Sequence, residues 1–274
     1  MKLLIAVDME GISGVVHWDQ VTPGHVEYQR MRKVMTADVN AAVAGAAEAG
    51  VEDIIISDGH WNGYNILVEE LDPRARLSSG TASPYSMVQG IETGVDAAFF
   101  VGYHARIGTQ HAILDHTWSS ARVSNLWLNG RVSGETGLNA SMCGHFGAPV
   151  LMISGDQSVC AEASEWIPGI ETVEVKQAVG RFAAECLAPS VAQERIRLGA
   201  IQAVHRFQAG QAPKPLELAK PITVTVEFIY SEMTDMAALL PGATRLDGKR
   251  VEVQVEDMAM AYRAFRSLVA LAAR

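Results

Sequence analysis

Short apolar runs alternate along this chain with longer stretches of helical periodicity, and that alternation confines it to few folds. The runs are 2–7 (KLLIAV), 53–57 (DIIIS), 96–102 (DAAFFVG), 123–128 (VSNLWL), 149–154 (PVLMIS) and 171–175 (ETVEV). Several are apolar at consecutive positions, so both their faces must be covered, as in strands inside a largely parallel sheet. Between the first two, Met31, Val34, Met35, Val39, Ala42, Val43 and Ala46 recur at helical spacing, and Gly50 offers a C-cap. The pattern predicts a three-layer α/β/α sandwich with right-handed crossovers. Three prolines and a glycine punctuate 209–221 (AGQAPKPLELAKP). Beyond them come strands at 222–229 and 250–256 and a helix striped by Ala261, Phe265, Leu268, Val269 and Ala272. Residues 1–208 are therefore expected to form the α/β domain that carries the chemistry, and 209–274 a smaller α+β lobe completing the fold.

Composition removes several function classes. The 274 residues are 49% hydrophobic and only 19% charged, which excludes a disordered chain. The 22 basic residues are outnumbered by 31 acidic ones, for a net charge of −9. No basic cluster accompanies them, so nucleic acid and anionic membrane surfaces are not expected partners. The first apolar run stops at Asp8 and reads as a strand, not a secretion signal. No run approaches the ~18 apolar residues of a membrane helix. Cys143, Cys160 and Cys186 show no CxxC spacing and leave an odd count, so reduced, mostly buried thiols and a cytoplasmic setting are expected.

The chemistry-bearing residues collect at strand ends. The first strand runs into Asp8-Met9-Glu10-Gly11-Ile12-Ser13-Gly14. At period two, Asp8 and Glu10 project to one side, and two such carboxylates repel unless a cation or shared proton intervenes. The second strand leads into Ser57-Asp58-Gly59-His60 and the third into Gly102-Tyr103-His104-Ala105-Arg106. Ligands of open α/β sheets bind beyond the carboxyl ends of strands. Two imidazoles with several carboxylate oxygens are the mixed donor set that suits Zn²⁺ in hydrolytic sites. Taken singly, each piece also reads as a cap, a solvated loop or a surface histidine.

Other segments leave two readings open. Asn129-Gly130 is a hairpin signal. Ser133 is placed to cap a helix containing Leu138, Met142 and Phe146, which makes Glu135 either a first-turn carboxylate or a site residue. In 111–118 (HAILDHTW), a histidine is either an acid/base group or nucleophile beside a metal, or a loop residue. Pro84–Gly90 reads as a helix start with Met87 as core filler. Lys176 is either a catalytic lysine or a solvated or ion-paired one. His17, His25, His145 and His205 carry no assignable chemistry. The nucleophile elbow, the Walker loop, a G-x-G-x-x-G after the first strand and HExxH are all absent, which disfavours serine hydrolases, P-loop enzymes, common Rossmann dehydrogenases and zincins.

Four ordered motifs, 7–14 (VDMEGISG), 57–60 (SDGH), 102–105 (GYHA) and 134–139 (GETGLN), together with 84–90 (PYSMVQG), 149–156 (PVLMISGD) and 175–177 (VKQ), resemble the DppA-type zinc-dependent D-aminopeptidases essentially end to end. The resemblance implies two Zn²⁺ per subunit, with Asp8 bridging, Glu10 and His60 completing one site, and His104 and Glu135 the other. It also implies a catalytic histidine in the following loop, best matched by His116, with His111 competing. The implied activity is release of an N-terminal residue, D-Ala for example, from short peptides and amides. The implied assembly is a homo-oligomer, a decamer of two stacked pentameric rings. Zinc-bound imidazoles need partners for their second nitrogens, and Asp58 or Asp115 are candidates. A metal-dependent L-peptidase or an amidohydrolase acting on another small amide, and a non-catalytic dipeptide-binding protein, are the alternatives.

Overall fold

The computed structural model describes residues 1–81 and 83–273. In chain order its elements begin with β1 (Lys2–Val7), α1 (Val26–Glu48), β2 (Asp53–Asp58), β3 (Ala75–Ser78), β4 (Ala97–Val101), β5 (Val123–Leu128), β6 (Arg131–Val132), α2 (Glu135–His145) and β7 (Val150–Asp156). They continue with α3 (Gln157–Trp166), β8 (Glu171–Gly180), β9 (Ala183–Cys186), α4 (Pro189–Gln208), β10 (Ile222–Phe228), α5 (Ser231–Ala237), β11 (Ala243–Arg245), β12 (Arg250–Val255) and α6 (Met258–Leu271).

Seven strands form one sheet in the order β3-β2-β1-β4-β7-β8-β9. All of its pairings are parallel except β8 with β9. Central strands must bury both faces, and β1 divides its residues accordingly. Leu3, Ile5 and Val7 join a core cluster with Val39, Val43 and Ala46 of α1 and Ile196 and Ala200 of α4. Leu4 and Ala6 join the opposite cluster, with Leu138 and Met142 of α2, Val159 and Ala163 of α3, and α6. This is the expected three-layer sandwich. The α1–α4 layer is packed backbone to backbone: a Cβ on Gly45 would lie 2.2 Å from the carbonyl oxygen of Arg197.

The second sheet departs from the sequence reading. The run 123–128, expected among the strands of the parallel sheet, is β5 of a separate antiparallel sheet ordered β11-β12-β10-β5-β6. Leu128 faces Val224 and Leu126 faces Val226, so the sheet takes strands from both sides of residue 209. Its β5–β6 turn follows the Asn-Gly signal, with φ of 49° at Asn129 and 78° at Gly130. β3, short and half-buried, and β9, short and mostly exposed, lie outside the runs expected as strands. The Pro84–Gly90 segment forms a single 3₁₀ turn, Ser86–Val88, with Met87 buried as core filler. α1 stops at Glu48, with Ala49 at the cap position and Gly50, whose φ is 90°, directly after it. Among the described residues, no helix is long and apolar enough to cross a membrane, and Cys143, Cys160 and Cys186 are free thiols, the first two buried.

Candidate metal centre

β2, β1 and β4 are neighbours, so their carboxyl ends deliver three loops to one place. The loops are tied by backbone bonds: Gly59 N–H to Val7 O at 2.9 Å, Asp8 N–H to Val101 O at 2.9 Å, and Gly11 N–H to Gly102 O at 2.8 Å. The last contact leaves no room for side chains. A Cβ on Gly11 would stand 1.9 Å from Tyr103 O, and Gly102, at φ +73°, would drive a Cβ to 2.3 Å from Asp8 O. The close approach of these two turns is what brings the Asp8 and His104 side chains together.

Asp8 lies at the centre. Its Oδ1 is 3.2 Å from His60 Nδ1, and its Oδ2 is 3.3 Å from His104 Nε2. Glu10 Oε2 is 3.1 Å from the same His60 nitrogen, and Glu135 Oε1 is 3.1 Å from the same His104 nitrogen. His116 stacks on His104 with ring centres 3.9 Å apart, and its Nε2 stands 4.0 Å from Glu10 Oε1 and 3.9 Å from Glu135 Oε1. All six side chains are buried. Glu135 comes from the first turn of α2, where its Oε1 also accepts the Trp118 N–H at 2.7 Å.

The donor set fits divalent cations. Two triads, Asp8–Glu10–His104 and His104–His116–Glu135, each bring ligand atoms within 4.8 Å of one another. Glu10 Oε2 and His104 Nε2 are buried without a hydrogen-bond partner, although each is 3.1 Å from an opposed polar atom. Converging donor atoms that fail to hydrogen-bond one another are satisfied by a shared cation. The second nitrogen of every imidazole is already committed to a backbone carbonyl: His60 Nε2 to Val21 O at 2.8 Å, His104 Nδ1 to Ala105 O at 3.0 Å, and His116 Nδ1 to Leu114 O at 2.9 Å. A carbonyl only accepts, so these nitrogens carry the proton, and in the neutral imidazole the lone pair faces the centre.

Electrostatics separate the three histidines. Burial disfavours the charged imidazoles of His60 and His104. The carboxylates of Glu10 and Asp8 around His60, and of Glu135 and Asp8 around His104, outweigh it and hold both well above the ordinary histidine range. Burial alone would raise Asp8, but the close contact and charge of the His104 and His60 imidazoles keep it well below the usual carboxylate range. His116 moves the other way: burial and the charge of His104 push it down, so it is the neutral base of the cluster.

Comparison with known proteins bears on the whole chain. The sequence profile of the D-aminopeptidase family, peptidase family M55, matches residues 1–267. The chain belongs to the D-aminopeptidase family. The D-aminopeptidase of Bacillus subtilis (strain 168) is 37% identical over 275 residues, covering 100% of this chain and 98% of that protein. Among solved structures, the Zn-dependent D-aminopeptidase DppA from Bacillus subtilis, a self-compartmentalizing protease, superimposes with a TM-score of 0.95 at 36% identity, over 99% of this chain and 98% of that one. Family membership makes this chain an aminopeptidase-type hydrolase.

Within that family framework, the structure brings together Asp8, Glu10, His60, His104, Glu135 and His116 at one point. His111 stays outside, exposed, with its Nδ1 3.0 Å from Val179 O. Asp58 and Asp115 do not orient the imidazoles, because carbonyls hold those positions. Asp58 accepts the N–H groups of Asn65 and Ile66 at 2.6 and 2.9 Å and shapes the loop carrying His60. Asp115 accepts the Gly108 N–H at 2.7 Å and the Arg181 Nε–H at 2.8 Å. Ser133 is not the cap of α2. Gly134 occupies the cap position, and the Ser133 hydroxyl turns to Gly134 O. Lys176 is neither solvated nor poised for chemistry. Buried, it donates to Glu10 O at 2.6 Å, Ile12 O at 3.0 Å and Val15 O at 2.7 Å, fastening the turn that follows Asp8 and Glu10. Burial pulls its ammonium down to about 8, which leaves it charged at neutral pH. Trp18, edge-on to His116 at 5.5 Å, was missed by sequence reading; a tryptophan in a polar loop gives no pattern to follow.

Proposed function

We propose that this chain is a dinuclear zinc aminopeptidase that releases N-terminal D-amino acids, D-Ala foremost, from short peptides and amides. The observation that carries the two-ion reading is the division of Asp8, whose two oxygens address different histidines. Glu10 and His60 would complete one zinc position with Asp8, and His104 and Glu135 the other. The Zn-dependence of the Bacillus subtilis structure supports the choice of metal.

Bound zinc would polarise the scissile carbonyl and acidify the attacking water. The remaining work falls to side chains of this chain. His116, kept neutral with its Nδ1 fixed on Leu114 O, presents a bare Nε2 to both halves of the centre and takes or returns the proton there. Carbonyl contacts hold His60 and His104 in one tautomer. The Trp18 ring closes one side of His116 against water.

Metal analysis coupled to a chiral substrate panel tests the reading. Purified protein is expected to hold two zinc equivalents and to cleave D-Ala amide and D-Ala dipeptides in preference to their L-counterparts. Glu10→Ala and His104→Ala lose zinc and turnover together, while His116→Ala keeps zinc and loses turnover. Full zinc content and activity in Glu10→Ala and His104→Ala would overturn the assignment. Assembly into stacked pentamers is part of the same reading, supported by the self-compartmentalizing relative. Ten chains of 29.5 kDa give about 295 kDa by light scattering.

A further inference from the structure

The loop that carries His116 is held in an unfavourable backbone conformation. His111, Leu114 and Trp118 have φ of 52°, 50° and 61°, a region that costs a non-glycine residue energy and persists only where surroundings impose it. The imposing contacts come from outside the loop. At the tip of the β8–β9 hairpin, the Arg181 carbonyl accepts the Leu114 N–H at 3.0 Å. The Arg181 guanidinium donates from Nε to Asp115 Oδ1 at 2.8 Å and from Nη2 to Asp115 O at 3.0 Å. The other oxygen of Asp115 reaches back to Gly108 N–H, tying the start of the loop to its end. The guanidinium carbon also stands 5.8 Å over the ring of Trp18, the ring that meets His116 edge-on.

We propose that Arg181 is a positioning residue for His116, acting through Asp115 and Trp18 to keep the strained loop in the arrangement that presents Nε2 to the centre. The inference rests on the reading of His116 as the proton-transfer group. The Arg181 side chain makes its hydrogen bonds, ion pair and ring contacts with Asp115, Trp18 and Phe182, outside the proposed zinc ligands, so its role is separable from metal binding. A bidentate fork is needed for one side chain to grip both the carboxylate and the carbonyl of the same residue, which lysine cannot reproduce fully.

The experiment compares wild type, Arg181→Ala, Arg181→Lys and Asp115→Asn for zinc content, kcat and KM on D-Ala p-nitroanilide, and amide hydrogen exchange across 106–118. Arg181→Ala is expected to keep its zinc, to lower kcat by about ten- to a hundredfold with KM within about twofold, and to exchange faster over 111–118. Arg181→Lys recovers part of the loss, Asp115→Asn reproduces it, and Arg181→Ala adds nothing further in a His116→Ala background. The proposal is overturned by an unchanged kcat and loop exchange, by a loss confined to KM, by a loss that tracks zinc or folded fraction, or by a full further loss in the His116→Ala background. A wild type inactive on every D- and L-substrate defeats the proposed function instead, and the exchange data still decide whether Arg181 orders the loop.

Discussion

Zinc uptake by this site should be an exchange of cations for protons. Asp8, Glu10 and Glu135 hold His60 and His104 protonated well above the ordinary range. In each ring the nitrogen facing a backbone carbonyl keeps its hydrogen throughout, so the proton that must leave is the one facing the centre. Loading the site near neutral pH therefore expels about two protons, and the joint affinity falls by about a hundredfold for each pH unit of acidification, tenfold per proton. The sign for the metal-free protein follows from the raised values. The His60 and His104 contribution to stability is complete below the unfolded histidine value and is lost as pH rises through the elevated folded one, leaving three carboxylates uncompensated. Stabilisation by zinc accordingly grows with pH. At a hundredfold excess over Kd it amounts to about 2.7 kcal/mol for each ion, or about 5 °C per ion in the melting temperature of a chain this size.

Titration calorimetry in buffers of different ionisation enthalpy counts the protons directly, as the slope of observed against buffer enthalpy. A slope near two is expected for wild type. Glu10→Gln, which removes one of the carboxylates that hold His60 charged, moves it toward one. A wild-type slope near zero would mean that the imidazoles are neutral before the metal arrives, and would refute the electrostatic reasoning.

Three further substitutions probe the frame around the centre. Gly11→Ala places a Cβ 1.9 Å from the carbonyl oxygen of Tyr103; the clash is with backbone and no side chain can swing aside to relieve it, so the turn bearing Asp8 and Glu10 lifts by about 1 Å and activity falls about a hundredfold, with circular dichroism showing the sheet intact. Lys176→Met removes the ammonium donor from Glu10 O and Val15 O and leaves Ile12 O with the Val15 N–H, and urea titration should show a loss of about 2 kcal/mol, about 1 kcal/mol for each carbonyl left without a donor. Asp38, buried and hydrogen-bonded to Ser13, is raised to about 6 by burial. Its contribution is complete below the unfolded carboxylate value and lost as pH climbs through about 6, so the stability of Asp38→Asn relative to wild type rises by about 3 kcal/mol between about pH 4 and 7. A difference independent of pH would show that Asp38 ionises normally.

The parts of this structure legible in the sequence are those in which neighbours in the chain remain neighbours in space. Asp8 and Glu10 follow β1 directly, His60 follows β2 and His104 follows β4, so recognising buried parallel strands also located four of the six clustered side chains. Sheet membership was less legible: β5 has the same apolar character as the parallel strands, and its partner β10 begins 94 residues beyond Leu128. Nothing in VSNLWL distinguishes a strand that pairs with ITVTVEF from one that pairs with β4. The least visible layer is the one that orients the site. Val21 O, Ala105 O and Leu114 O fix the three imidazoles, and every residue owns a carbonyl, so side-chain identity carries no trace of the role. The same holds for Lys176, whose three acceptors are backbone oxygens 161–166 positions away, and for Arg181, which in the sequence is one more charged residue in a turn. An aspartate near a clustered histidine is therefore weak grounds for assigning it the orienting role in this fold. Asp58 and Asp115 lie close in sequence to His60 and His116, yet they act on the loops and leave the rings to the backbone.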